Sequence, residues 1–454
     1  MKRISQLTPA RTLNERSPMK NRHTSSRTQR SLVRLAPVTL LALFLSACSG
    51  TPEATPTEET GPVEILLATP AYAGGDTNPY EPLMAAFTKE NPNITIKLVE
   101  TPNDQHGQTI RTQLQAGNAP DIFYVTAGRG INQSFGSLAD AGYLEEITGQ
   151  QWAADTVPES ARSLYFEDNK LFAMPVDLAP LGQITNIGAL RDLGLAPATT
   201  FREVLDQCKL ASAAGKSLYG LAGASAANNG MHAMQIAAST VYAQDPDWDA
   251  KRDKGEAKFV GSDWQVVLER ILQLKSADCY QDGVAGAGMD QLFPAVAQGK
   301  VTAAFTPAGA VAALRAQVTT GEFDVSIFPG NEAGDSRLLA TPVNALAVNA
   351  AGKHKSSALK FLEFLAKPSN QDELAKLNGN VAMTAALSGS IPAQFPTLES
   401  YFKDESRIVA QPNLVWPNSG VFDALGTGVQ GLLTGQATPE QVLKAMDDAY
   451  DRGE

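Results

Sequence analysis

Between residues 63 and 125 the chain alternates three apolar runs with two helical patterns, and that alternation leaves few folds open. VEILLA (63–68) is an apolar run of strand length. Tyr80, Leu83, Met84 and Phe87 then recur at helical spacing and stop before Asn91-Pro92. ITIKLVE (94–100) alternates Ile94, Ile96 and Leu98 as a strand does, a polar helix over 104–116 meets Gly117 at a C-cap position, and DIFYV (121–125) supplies a third strand. Strands separated by helices of this length build βαβ units on a parallel sheet, so the expected class is α/β.

The pattern persists further on. Thr200 and Glu203 form a capping box ahead of a helix whose stripe is Phe201, Val204, Leu205 and Cys208. Thr438, Pro439 and Gln441 do the same before Val442, Ala445, Met446 and Ala449, and Ala358, Phe361, Leu362 and Leu365 mark another amphipathic helix. VTAAFTP (301–307), FDVSIFP (323–329) and ALAVN (345–349) read as later strands. A chain of this length exceeds one small domain, and two lobes are expected.

The start of the chain is of another kind. Residues 35–47 are an apolar run too short to span a bilayer, which takes about twenty residues, and nine basic side chains with one acid precede it. That polarity is the mark of an export signal, with Met1 or Met19 as its start. Leu45, Ser46 and Ala47 before Cys48 resemble the lipobox of bacterial lipoproteins, in which the thiol is acylated and the chain is cut before the cysteine. Residues 48–61 are rich in Pro, Thr and Glu and read as a flexible tether. Without residues 1–47 the net charge of −11 becomes about −19, which argues against a nucleic-acid partner, since phosphate binding depends on clustered Lys and Arg.

Catalytic patterns are missing from the sequence. His106, His232 and His354 show no metal-ligand spacing, there is no CxxC or GxSxG, and Gly215-Lys216-Ser217 lacks the first glycine of a phosphate loop because residue 210 is Leu. Asp245, Asp247, Asp249, Asp253 and Glu256 imitate a calcium loop, but Ala250 stands where the turn wants Gly and three basic residues intervene, so no metal site is expected. Cys208 and Cys279 could pair outside the cytoplasm, while Cys208 alone would also suit a buried helix face; both states stay open.

Beyond these patterns, FTKENPNITIKLVE (87–100), LQAGNAPDIFYV (114–125), LADAGYLEEI (138–147), the stretch 174–211, LFPAVAQGKVTAAFTPAGAV (292–311) and SALKFLEFLAKPSNQ (357–371) resemble extracellular solute-binding proteins of family 1, the maltose- and sugar-binding type of ABC importers. The resemblance implies a two-lobed periplasmic-binding-protein (type II) fold, each lobe a mainly parallel sheet flanked by helices. The expected division is 1–47 signal peptide, 48–61 lipidated cysteine and tether, 62–178 with 330–349 as the N-terminal lobe, and 182–328 with 352–454 as the C-terminal lobe. Hinges are expected near 177–183, 328–331 and 348–353. Where many relatives carry a Trp after the strand at 301–307, this chain has Pro307-Ala308-Gly309.

In such a fold the solute lies at the carboxyl ends of the strands, between the lobes, and sugars are held by aromatic rings and planar polar side chains. Loops after strands therefore nominate Tyr72 and Asp76; Thr126 and Arg129; Asp177 at the crossover; Asn228 and Asn229; Asn344; and Trp416 with Asn418. Tyr80 reads as core. The expectation is a monomeric, lipid-anchored, extracytoplasmic binding protein without cofactor or covalent chemistry, passing a sugar or oligosaccharide to an ABC permease. A non-sugar solute such as a polyamine, or a lipoprotein glycosidase working through two carboxylates, are the alternatives.

Overall fold

A computed structural model of the chain describes residues 61–71, 77–158, 161–319, 321–388 and 395–453. The export signal, Cys48, the tether, Tyr72 and Asp76 lie outside the described residues. The first sheet has the order β2-β1-β3-β12-β6, built from β1 Val63–Pro70, β2 Ile94–Thr101, β3 Ile122–Thr126, β6 Ala173–Pro175 and β12 Asn344–Val348. β1 is parallel to β2 and β3, as two βαβ units require, and β12 runs antiparallel between β3 and β6. β4 Phe166–Glu167 and β5 Lys170–Leu171 form a hairpin whose two turn residues, Asp168 and Asn169, both have positive φ.

The second sheet has the order β13-β11-β7-β9-β8, with β7 Ala179–Asn186, β8 Ser217–Gly220, β9 Val301–Pro307, β11 Leu338–Thr341 and β13 Ile408–Val409; β10 Phe323–Ser326 also pairs with β7. This sheet is mixed rather than mainly parallel. β7 is antiparallel to β9, β10 and β11, and only β8/β9 and β11/β13 are parallel. β7 arrives directly from the first sheet with no crossover helix, so nothing forces its neighbours into its direction. All eight of its residues are buried.

α1 Tyr80–Glu90 buries Tyr80, Leu83 and Phe87, and α2 Asn103–Ala116 ends at Gly117, whose φ of +70° closes the helix as the sequence suggests. The capping box at Thr438 is complete; at Thr200 only half forms, because Glu203 reaches the Thr199 N–H instead (2.7 Å). Cys208 and Cys279 are disulfide-bonded, with Cα atoms 4.7 Å apart.

The lobe limits differ from the expected ones. β11 pairs with β7 in the second sheet, so 338–341 leaves the first lobe. The helices Lys355–Ala366 and Pro368–Asn378 join the first lobe, where Phe361 and Phe364 meet Phe87 edge-on at 5.1 and 5.5 Å. An amphipathic stripe states that a helix has a buried face, not which sheet receives it. The chain thus crosses between the sheets at 176–178, 342–343 and 379–382. Leu178 and Val381 exchange backbone hydrogen bonds (2.9 and 3.0 Å), and the Val176 N–H donates to the Asn344 carbonyl (3.0 Å). A further strap, 410–416, buries Leu414 in the first core and Trp416 in the second.

Candidate solute-binding cleft

Above the carboxyl ends of β1, β2 and β3 lies a cleft of about 190 Å³, walled by Thr69, Pro70, Asn78, Tyr80, Asn103, Tyr124, Asn344, Asn378 and Asn380 among others. Amide and phenol groups dominate this wall, and no charged side chain is among its described members. Asn78 braces its outer edge: Oδ1 accepts from the Tyr80 N–H (3.0 Å), while Nδ2 donates to Thr69 Oγ1 (3.2 Å) and Glu100 Oε1 (2.8 Å). That amide links β1, β2 and the start of α1. Tyr80 serves two purposes, as a buried residue of the helical stripe and as cleft wall.

The floor is a chain of hydrogen bonds. Tyr124 Oη donates to Asn344 Oδ1 (2.7 Å), and Asn344 Nδ2 donates to Asp177 Oδ1 (2.7 Å). Asn378 Nδ2 donates to Asp177 Oδ2 (2.7 Å), and the Asn380 side chain adds a further bond. Asp177 is fully buried. Burial raises its pKa, and the three asparagine donors pull it back. Burial also pushes the Tyr80 and Tyr124 hydroxyls up, helped by the nearby Asp177 carboxylate, so both remain protonated donors. Behind Tyr124, buried His106 spans Thr101 Oγ1 (2.9 Å) and the Tyr124 carbonyl (3.0 Å). The carbonyl can only accept, so Nε2 carries the proton and Nδ1 accepts from Thr101. Burial lowers the imidazole pKa and keeps it neutral.

Of the residues nominated from sequence, Asn344 and Asp177 come together in this cleft. The other nominated residues that are described have partners elsewhere. Thr126 is buried at the end of β3, its hydroxyl on Ser134 Oγ (3.3 Å). Arg129 forms ion pairs with Asp140 and Glu167. Asn228 accepts from the Ala222 N–H (2.9 Å) and donates to the Phe305 carbonyl (2.8 Å), and Asn229 donates to the Gly223 and Gly426 carbonyls; both amides brace the loop after β8. Trp416 is a core residue. It is fully buried against Phe259 and Trp264, with Nε1 donating to Asp249 Oδ1 (3.2 Å). Asn418 caps the helix Ser419–Thr434 and ties it to the Ala449 and Gly453 carbonyls. Asp249 is turned inward to Tyr242 and Trp416, and Lys251 pairs with Asp245, so the 245–256 carboxylates do not converge.

Asn78, Asn103, Tyr124, Asn378 and Asn380 were not singled out from sequence. Asn103 opens α2, separated from the end of β2 by one residue, and the Asn378-Gly379-Asn380 turn, with Gly379 at φ +71°, is a chain-reversal signal. Either could have been found by asking which turns face a strand end. A second, mostly apolar space of about 320 Å³ lies on the other side of the crossings, lined by Leu164, Leu178, Ala340, Pro342, Phe402 and Ile408 among others. Asp177 and Leu178 are neighbours in an extended segment, so they face opposite ways.

Residues 73–372 match the family described as bacterial extracellular solute-binding protein. The chain belongs to that family. Relatives bear the same description out. The melibiose/raffinose/stachyose-binding protein MelE of Bacillus subtilis (strain 168) is 22% identical over 424 residues, 91% of this chain and 95% of its own length. Among solved structures, RafE in complex with raffinose superposes with a TM-score of 0.71 at 20% identity, covering 86% of this chain and 99% of that one. A sugar transporter protein from Bacillus licheniformis in complex with stachyose gives 0.67 at 21% identity, covering 86% and 100%. The fold is that of the two-lobed solute-binding proteins, and the family is extracellular.

Proposed function

We propose that this protein captures a neutral oligosaccharide, of the size of raffinose or stachyose, in the cleft and delivers it to an ABC permease. The observation that carries the reading is the wall itself: asparagine amides and tyrosine phenols supply planar donors and acceptors together with ring faces, and no described wall residue bears a charge. A cationic solute such as a polyamine would call for exposed carboxylates, whereas Asp177 is buried and already bonded to asparagine side chains. The names of MelE and RafE support the same ligand class.

Capture works by closure. Solute touching both lobes stabilises the closed form of a pre-existing open–closed equilibrium, with bending at 176–178, 342–343 and 379–382. Cys48 carries lipid and holds the mature chain at the membrane through residues 49–61, and the protein works as a monomer without turnover. The test is calorimetric titration of residues 62–454 with melibiose, raffinose, stachyose, maltotriose, spermidine and amino acids, followed by chromatography of the bound sugar. Binding of a galactoside recovered intact supports the reading; binding of spermidine alone, or recovery of cleaved sugar, overturns it.

A further inference from the structure

The second and third crossings bring side-chain amides to a carboxylate that stands in the first. Asp177 sits in the first crossing, Asn344 directly follows the second, and Asn378 and Asn380 flank the start of the third. A carboxylate has only acceptors to offer, so every asparagine bonded to it must present Nδ2 and turn Oδ1 away. An asparagine amide left to itself can rotate by half a turn and exchange donor for acceptor. Here it cannot, because a flipped amide would aim oxygen at a buried oxygen in a low-dielectric setting. The outcome is visible at Asn344, whose Oδ1 receives the Tyr124 hydroxyl.

At the third crossing the same logic sets the polarity of the wall. Asn378 lines the cleft and is half-buried, with Nδ2 on Asp177 at 2.7 Å. Its Oδ1 is therefore on the side away from the carboxylate. Asn380 Oδ1 lies against Gly309, where a methyl group would come within 2.8 Å of it. Gly309 leaves room for the Asn378–Asn380 turn, since a methyl group there would also come within 2.9 Å of the Asn378 carbonyl oxygen.

We propose that Asp177 is a positioning residue that fixes the donor–acceptor polarity of the cleft: by engaging the Nδ2 groups of Asn344, Asn378 and Asn380 it holds Asn344 Oδ1 on the Tyr124 hydroxyl and turns Asn378 Oδ1 away from the carboxylate, as an acceptor that reads a hydroxyl donor on a neutral solute. The carboxylate does not touch the solute. It acts through the amides and locks the three crossings in one arrangement, so the groups that meet the ligand and the segments that bend share one node. The part of this that concerns ligand rests on the proposed oligosaccharide function; the part that concerns amide orientation does not.

Asp177→Asn keeps the shape and replaces one acceptor oxygen by a donor, which forces at least one neighbouring amide to turn. Two measurements decide the matter. In ¹⁵N–¹H spectra of the wild type, the side-chain amides of Asn344, Asn378 and Asn380, assigned by single substitution, should each show one slowly exchanging, carboxylate-bonded proton, and Asp177→Asn should move at least two of these three amides. Raffinose affinity should fall at least tenfold in Asp177→Asn and also in Asn378→Ala, a variant that leaves Asp177 in place and serves if the first does not fold. Amide resonances that are averaged in the wild type, or unmoved in Asp177→Asn, overturn the inference whether or not sugar binds. Affinities within twofold of wild type in a protein that does bind raffinose overturn it as well. If the wild type binds no sugar while the amides behave as described, the ligand reading fails and the orienting role of Asp177 stands.

Discussion

The Cys208–Cys279 bond should be worth more to this protein than any single side chain in the cleft. It closes a loop with a sequence separation of 71 residues, joining the helix Phe201–Ala213 to Cys279, just past the helix Trp264–Ser276. A cross-link of that span removes about 15 cal/mol/K from the unfolded chain, or about 4.4 kcal/mol at 25 °C. Both sulfurs are fully buried, so a reductant reaches them only when the second lobe opens. The experiment compares urea unfolding of oxidised protein with protein reduced under denaturant and refolded in reductant, which leaves every side chain in place. With a slope of about 3 kcal/mol/M, the midpoint of the reduced protein should fall by about 1.5 M. Raffinose affinity measured below the transition should change by less than threefold, because neither cysteine lines the cleft. A midpoint that moves by less than 0.3 M would refute the loop-entropy argument, and fast reduction without denaturant would refute the burial on which the design depends.

Trp416→Ala should leave solute affinity unchanged and cost about 3–5 kcal/mol of stability, the usual loss for a large buried ring; a thermal melt beside a sugar titration separates the two effects. Gly130→Ala places a methyl group on the Asn413 carbonyl oxygen and must push the strap off the first lobe, at a cost of about 2 kcal/mol or more in urea unfolding. Asp249 is pushed up to about 7 by burial, so the fold prefers its protonated form. That contribution is complete below the ordinary carboxylate range and is lost as pH rises through about 7. The wild type should therefore gain about 2–3 kcal/mol relative to Asp249→Asn between pH 8 and pH 5, read as the difference of two denaturation series.

Local periodicity carried the first sheet almost whole. The strands at 63–70, 94–101 and 122–126 and the helices between them follow from spacing and from Gly117, because each is decided within a few residues. Long-range allegiance is another matter. Phe361 and Leu365 show the same stripe whichever lobe they pack against, and β11 and β12 are separated by only Pro342 and Val343 although they belong to different sheets. The site shows the same division. Asp177 was found because a carboxylate between Val176 and Leu178 must be satisfied if buried. Asn378 and Asn380 come from a turn two hundred residues further on, and nothing local says that they share its carboxylate. Trp416 misled for a related reason. A tryptophan in a proline-flanked loop has no stripe to reveal that the loop itself is threaded through two cores.

The distribution of tryptophan has a practical consequence. Of the four in the chain, Trp248, Trp264 and Trp416 stand together around Phe259 in the second lobe, with Trp264 6.1 and 5.9 Å from the other two, and Trp152 stands apart on a short helix of the first lobe. Indoles this close exchange excitation, so most of the intrinsic emission is that of one buried cluster, with half-buried Trp152 as the remaining contributor, and none of it comes from the cleft wall. It will be a faithful gauge of whether the second lobe is folded, with strong near-ultraviolet dichroism from the coupled rings, and a nearly silent one for solute. Ligand discovery on this protein therefore belongs to heat, mass or an introduced dye, and a flat fluorescence titration says nothing against binding.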